Sequence, residues 1–349
     1  MLDEIIHYPH LGEIDYKAKD FKPENDVRWC SGCGGYSILA QVQKVFATLG
    51  VPKEKGVFVS GIGCSSRFPY YMDVYGLHAI HGRAIAIASG LKISRPDLSV
   101  WVATGDGDCM SIGGNHFIHG CRRNIDLNVI MFNNEIYGLT KGQYSPTSHS
   151  GQVTRSSPLG VLDNPFNPMG LALGSGATFV ARGVDSDTNL LRQLFERAGT
   201  HKGFSFVEVY TNCVIFNDGA FDSFRGKETR KDKTILLEHG KPLIFGENHD
   251  KGIRLDGFKP TVVSLADGHY SVNDLLVHDE KDSTLAYILA NMTYNSELPR
   301  PLGVFQAIEL PTYDQKIADL VVSEQQKKGS DLQKLLYGID SWEIKGNVN

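Results

Sequence analysis

Residues 100–134 read VWVATGDGDCMSIGGNHFIHGCRRNIDLNVIMFNN. Two apolar runs, VWVAT (100–104) and NVIMF (128–132), each end in a short polar turn, Gly105-Asp106-Gly107 and Asn133-Asn134, with 25 residues between the turns. The intervening 110–122 has the length of a helix, so the unit is strand, helix, strand, and a right-handed crossover makes the strands parallel. Both turns then fall at one carboxyl edge of a sheet. Open α/β sheets bind their ligands there.

The alternation continues outward on both sides. Helices are expected near 36–49, 81–94, 110–122 and 187–198, and strands near 56–60, 99–104, 127–132, 177–182 and 204–210. The expected fold class is therefore α/β, a doubly wound and mainly parallel sheet over 27–217. A polar arm (1–26) precedes it, and a loop-rich extension (218–349), with one helix at 283–292, is expected to pack over the core. The stretch 142–168 is rich in Ser, Pro, Asn and Gly and too long for a plain connection, so it reads as an active-site loop.

The two turns carry the chemistry of a hard cation. Asp106 offers a carboxylate oxygen, Asn134 an amide oxygen and Ile136 a backbone carbonyl, half of a magnesium octahedron that diphosphate oxygens and water would complete. Gly105 and Gly107 allow a sharp turn and a close approach to phosphates. Either turn alone is ordinary turn chemistry. Together, each after a buried strand, they point to a site.

Six cysteines narrow the reaction: Cys30, Cys33, Cys64, Cys109, Cys121 and Cys213. The start MLDEIIHYPH is mixed and acidic and no apolar run has transmembrane length, so a reducing cytoplasm is expected and metal or cluster ligation outweighs disulfides. Cys30 and Cys33 open a helix, which favours thiolate charge. Cys64 follows one expected strand in GIGCSS, and Cys213 follows FSFVEVY (204–210). These four can meet at the sheet edge beside the magnesium turns, where an iron-sulfur cluster or a zinc ion would suit them. Cys109 and Cys121, in the crossover helix, read as small core hydrophobes.

Composition is compatible and excludes little. A chain of 349 residues with 41% hydrophobic content can bury a full core, and a net charge of −5 without a basic stripe argues against nucleic acid. Arg225, Lys227, Arg230, Lys231 and Lys233 form a basic run that would attract an acidic partner or would simply be a solvated face.

A GDG turn followed at this distance by NN resembles the diphosphate and magnesium motif of thiamine diphosphate enzymes. With the cysteines added, the chain resembles the beta subunits of 2-oxoacid:ferredoxin oxidoreductases. The likeness rests on WCSGCG (29–34), GIGCSSRFPYY (61–71), HGRAIAIASGLK (81–92), GDGDCMSIGGNHFIHGCRRN (105–124), FNNEIYGLTKGQYSPTS (132–148) and YTNCVIFND (210–218). It spans about residues 25 to 220 and continues more loosely to the end.

The resemblance implies a sheet of the diphosphate-binding type and three cofactors: thiamine diphosphate, Mg2+ and one 4Fe-4S cluster. It implies Cys30, Cys33, Cys64 and Cys213 as cluster ligands, and Asp106, Asn134 and the Ile136 carbonyl as magnesium ligands. Further cofactor contacts are implied from Gly63, Cys64, Ser65, His81, Gly105, Gly107, Asp108, Gly138, Leu139 and Thr140. The implied reaction is oxidative decarboxylation of a 2-oxoacid, with coenzyme A as co-substrate and electrons passed through the cluster to ferredoxin. GCSSRFPYY looks most like the 2-oxoglutarate members, and a second substrate carboxylate would need cations such as Arg67 and Lys141.

His81 is the candidate catalytic imidazole; His78, His116 and His119 are as readily core histidines. The aminopyrimidine of the cofactor normally meets a glutamate from a second domain, and this chain has room for one such domain. An alpha subunit in an α2β2 assembly is therefore expected. A non-redox thiamine decarboxylase or carboligase, a pyruvate-specific member of the family, and a four-cysteine zinc module remain as rival readings.

Overall fold

The computed structural model describes residues 15–329, 331–342, 344 and 346; most of the expected arm, residues 1–14, lies outside them. Eleven strands are described: β1 (Gly56–Ser60), β2 (Tyr75–His78), β3 (Ser99–Gly105), β4 (Leu127–Asn133), β5 (Phe179–Val184), β6 (Phe204–Tyr210), β7 (Thr234–Leu237), β8 (Ile244–Phe245), β9 (Lys251–Asp256), β10 (Lys259–Ser264) and β11 (Arg300–Ala307). Eight of them form one sheet in the order β2-β1-β3-β4-β6-β5-β11-β7, and β10-β9-β8 form a small second sheet. Only the β5–β11 junction of the large sheet is antiparallel.

Helices cover both faces. α1 (Gly35–Leu49), α2 (Ala84–Ser94), α3 (Asp106–Met110), α4 (Gly114–Arg123), α5 (Pro168–Gly174) and α6 (Thr188–Thr200) connect the strands. Val100 and Val102 of β3 pack with α2, α4 and α5 on one side, while Trp101 and Ala103 pack with α1 and α6 on the other. Strands covered on both faces read as continuous apolar runs, which is why VWVAT and NVIMF lack a polar face. Cys109 and Cys121 are buried in the first of these cores.

Two details depart from the expected pattern for local reasons. The crossover helix begins at Asp106 and breaks over 111–113, where the Gly113 N–H turns back to the Asp108 carbonyl at 3.1 Å. α2 starts at Ala84 rather than at 81 because the Gly82 N–H is held by the Asp108 carboxylate at 2.7 Å. The stretch after 217 contributes β7 and β11 to the main sheet. In RPLGVFQA the Pro301 and Gly303 positions obscure a strand. Gly303, at φ +114, lies so close to β7 that a side chain there would collide with the Leu237 carbonyl.

The basic run at 225–233 is largely neutralised. Arg225 pairs with Asp185 at 2.7 Å, Arg230 with Asp187 at 2.8 Å and Lys231 with Glu247 at 2.7 Å. No helix among the described residues is long and apolar enough to cross a membrane.

Candidate active site

The carboxyl ends of β3 and β4 are neighbours in register, Gly105 beside Phe132, and this brings the two polar turns together. Asp106, at the start of α3, is buried. Ser145 Oγ donates to its Oδ2, and Thr147 Oγ1 donates to the same oxygen at 2.6 Å. Burial pushes the Asp106 carboxyl up to about 6, against the opposing effect of these hydroxyls. A divalent cation would reverse that shift, so the position suits a metal ligand.

In the second turn the Ile136 N–H donates to Asn134 Oδ1 at 3.2 Å and the backbone of Glu135 takes φ +55. Ser148 Oγ secures it by donating to the Glu135 carbonyl at 2.6 Å. Gly107 is needed for a reason the sequence did not show. A β-carbon there would fall 2.2 Å from the Tyr137 ring, whose hydroxyl donates to the Gly107 carbonyl at 2.9 Å.

Asp108 acts as a clamp. Its Oδ1 accepts from the N–H groups of Ile62 at 3.0 Å and Gly82 at 2.7 Å, and its Oδ2 accepts from Thr104 Oγ1 at 2.9 Å. It thereby fixes the loop that carries Cys64 and the loop that carries His81 to the end of β3. His81 Nδ1 lies 3.4 Å from Asp108 Oδ1, near enough for an ion pair but not aligned for a hydrogen bond. Ser65 Oγ is also buried and finds no hydrogen-bond partner among the described residues. It stands beside Gly105, where a polar ligand would satisfy it.

Four cysteines approach the same edge. The Cys33 N–H closes the 30–33 turn on the Cys30 carbonyl at 3.1 Å, and the Gly35 N–H at the start of α1 donates to Cys33 Sγ at 3.4 Å. Trp29 Nε1 donates to the Cys64 carbonyl at 2.7 Å and the Gly34 N–H to the Asn212 carbonyl at 3.3 Å, which tie this turn to the loops of Cys64 and Cys213. A β-carbon on Gly138 would lie 3.5 Å from Cys213 Sγ and 3.7 Å from Cys64 Sγ. Burial first, and after it negative charge on Cys33, Cys213 and Cys30, pushes the Cys64 thiol up to about 11. Cys33 is raised by burial and, after that, by Cys213 and Cys30. As thiolates these sulfurs would repel one another, and a bound cation would offset that repulsion.

One pocket gathers most of these groups, with Cys30 and Cys213 outside its lining. Residues 63–65, 105–108, 136 and 138–140, with His81, Asn134 and Cys33, line it together with Trp29 and Phe132. Every position that the resemblance assigns to thiamine diphosphate or magnesium is on this surface.

Residues 61–209 match the family described as thiamine pyrophosphate enzyme, C-terminal TPP binding domain. The chain is 49% identical over 333 residues to the 2-oxoglutarate oxidoreductase subunit KorB of Mycobacterium tuberculosis, covering 94% of this chain and 88% of that one. It is 47% identical over 226 residues to subunit beta of 2-oxoacid:ferredoxin oxidoreductase 1 of Aeropyrum pernix, covering 64% of this chain and 70% of that one. The chain belongs to the beta subunits of the 2-oxoacid:ferredoxin oxidoreductases. Among solved structures, this beta subunit is similar to a 2-oxoglutarate:ferredoxin oxidoreductase from Magnetococcus marinus with 2-oxoglutarate, coenzyme A and succinyl-CoA bound. That similarity has a TM-score of 0.77 and 33% identity and covers 95% of this chain and 98% of that one.

The beta subunit places the two candidate substrate cations differently. Arg67 lines a cavity of about 550 Å³ that shares Ile62, Gly63 and Leu139 with the cofactor pocket. Lys141 lines neither; it is exposed at the tip of the 138–142 turn with φ +77. Sequence reasoning missed Ser145 and Thr147 as partners of Asp106. Their signal was the hydroxyl-rich SPTS inside the loop already expected to serve the site.

Proposed function

We propose that this chain, with an alpha subunit in an α2β2 assembly, oxidatively decarboxylates 2-oxoglutarate to succinyl-CoA and passes the electrons through a 4Fe-4S cluster to ferredoxin. The reverse carboxylation uses the same site. The observation that carries this reading is the packing of Gly138 against the sulfurs of Cys64 and Cys213, on a turn that also lines the cofactor pocket. A redox relay and a cofactor site that share one wall suit a reaction in which electrons leave the substrate.

The residues present fit the implied groups. Asp106, Asn134 and the Ile136 carbonyl would hold Mg2+, and Ser65, Gly105 and Gly107 would receive the diphosphate. Cys30, Cys33, Cys64 and Cys213 would hold the cluster. Thiamine diphosphate, when bound, supplies the electron sink that decarboxylation of a 2-oxoacid requires.

The protein's own groups then bind and orient. Arg67 grips the distal carboxylate from the adjoining cavity with a charge-assisted fork, and Lys141, exposed on the turn just after the pocket-lining Thr140, offers a second cation. His81, on the pocket wall with Nδ1 facing the Asp108 carboxylate at 3.4 Å, is placed to meet the substrate as the candidate catalytic imidazole. Trp29 and Phe132 wall the pocket against water. The alpha subunit supplies the pyrimidine-side wall and the coenzyme A site. The test is anaerobic dye reduction by the purified complex with 2-oxoglutarate, pyruvate and a branched 2-oxoacid. A preference for 2-oxoglutarate with no activity from the beta chain alone is expected; full activity from the beta chain alone would overturn the two-subunit site.

A further inference from the structure

A fully buried ion pair sits in the middle of the main sheet. Arg182 of β5 and Glu208 of β6 are neighbours in register, both 0% exposed, and Arg182 Nε donates to Glu208 Oε2 at 2.6 Å. Strands covered on both faces ordinarily carry apolar residues at such positions. Removing two charges from water costs several kcal/mol per ion, roughly, so a buried pair is a weak stabiliser and calls for another role. Arg182 Nη1 donates to Thr293 Oγ1 at 2.7 Å, and Nη2 finds no partner among the described residues.

The pair connects to the cofactor site. Glu208 Oε1 accepts from Asn133 Nδ2 at 2.7 Å. Asn133 Oδ1 in turn accepts from the Glu135 N–H at 3.3 Å and from Thr147 Oγ1 at 3.0 Å. Thr147 Oγ1 is shared with Asp106 Oδ2 at 2.6 Å. A small cavity lined by Asn133, Thr147, Arg182 and Glu208 lies behind the turn.

We infer that Arg182 and Glu208 are positioning residues for the magnesium turn. Arg182 fixes the Glu208 carboxylate, and Glu208 fixes the Asn133 amide. Asn133 then sets both the hydroxyl of Thr147 against Asp106 and the backbone that leads into Asn134. The first Asn of the turn thus serves as the link between the sheet interior and the metal ligands rather than as a ligand. Neither charge reaches the cofactor pocket, so the pair acts only through these hydrogen bonds. Partners behind metal ligands commonly affect affinity by about 10- to 100-fold.

The inference rests on the assignment of Asp106 and Asn134 to magnesium, and its test keeps the two apart. Magnesium and thiamine diphosphate are titrated calorimetrically into the complex of both subunits after chelator treatment, with thermal melting recorded alongside. Wild-type complex that binds no magnesium thiamine diphosphate would sink the functional assignment itself, and this inference with it. Given wild-type binding, Arg182→Met/Glu208→Leu is expected to keep its melting temperature and to lose about tenfold in magnesium affinity. Arg182→Met/Glu208→Gln retains an amide oxygen for Asn133 and is expected to recover most of that loss. Should the Met/Leu pair not fold, Asn133→Leu breaks the same link and is expected to show the same loss. Wild-type affinity in the Met/Leu pair or in Asn133→Leu, or an equal loss in the Met/Gln pair, would overturn the inference.

Discussion

Asn217 Nδ2 donates to the main-chain oxygen of Asn134 at 2.9 Å. The Asn217 N–H also reaches the Cys213 carbonyl at 3.0 Å, so one residue fastens the cysteine loop to the turn proposed to hold magnesium. Asn217→Ala removes a part-buried bond with a net worth of about 1 kcal/mol. The complex is expected to fold, to bind magnesium thiamine diphosphate several-fold more weakly and to show an altered electron-spin signal. Unchanged affinity and spectrum would show that the two loops are independent.

Asp106 gives the cation-free protein a defined pH response. Its carboxyl is raised by burial from 3.8 to about 6, so folding favours the protonated acid. Its contribution is fully present below pH 3.8 and is lost as pH rises through about 6. That difference between folded and unfolded chain corresponds to about 3 kcal/mol. In denaturant melts without magnesium, Asp106→Asn is expected to be more stable than wild type above about pH 6 and to lose this advantage in acid. With magnesium and cofactor added, only wild type should gain stability. A stability difference independent of pH would contradict the assignment.

Much of the sheet was legible because parallel strands covered on both faces are apolar runs ended by Gly, Asp and Asn. The strands β1, β3, β4, β5 and β6 and the helices α1, α2, α4 and α6 fall near where that pattern puts them, while β2 and α5 were not expected. β11 was not legible, since Pro301 and Gly303 interrupt its pattern and its pairing depends on β5, distant in sequence. The cysteines and the GDG and NN turns were legible because chemistry concentrates there. The roles of Asp108, Ser145 and Thr147 were not, because each depends on partners far away in the chain. Charges were less legible. The basic run at 225–233 read either as a lure for an acidic partner or as a solvated face, and Arg225, Arg230 and Lys231 in it are ion-paired, whereas Arg182 gave no sign of being buried.

The cysteines divide into two sets with opposite expected outcomes. Cys64→Ser or Cys213→Ser is expected to abolish dithionite-bleachable absorbance while leaving thiamine diphosphate binding in place. Cys109→Ala and Cys121→Ala remove buried thiols from the core and are expected to cost about 1 kcal/mol of stability each with no loss of iron. Iron analysis together with thermal melting separates the two sets, and loss of iron from Cys121→Ala would break the division.

Arg67→Ala tests substrate choice. A charge-assisted contact contributes about 1.5–3 kcal/mol, so kcat/KM for 2-oxoglutarate is expected to fall by roughly 10- to 100-fold. Pyruvate, which lacks the second carboxylate, should be affected far less. An equal fall for both substrates would remove Arg67 from specificity.

The most direct test of the central claim is anaerobic rapid-mixing absorbance of the complex with 2-oxoglutarate, with and without magnesium thiamine diphosphate. Bleaching of the iron-sulfur absorbance within one turnover, only when metal and cofactor are both present, is the expected result. A colourless protein containing zinc, or a cluster that keeps its absorbance while substrate is consumed, would contradict it.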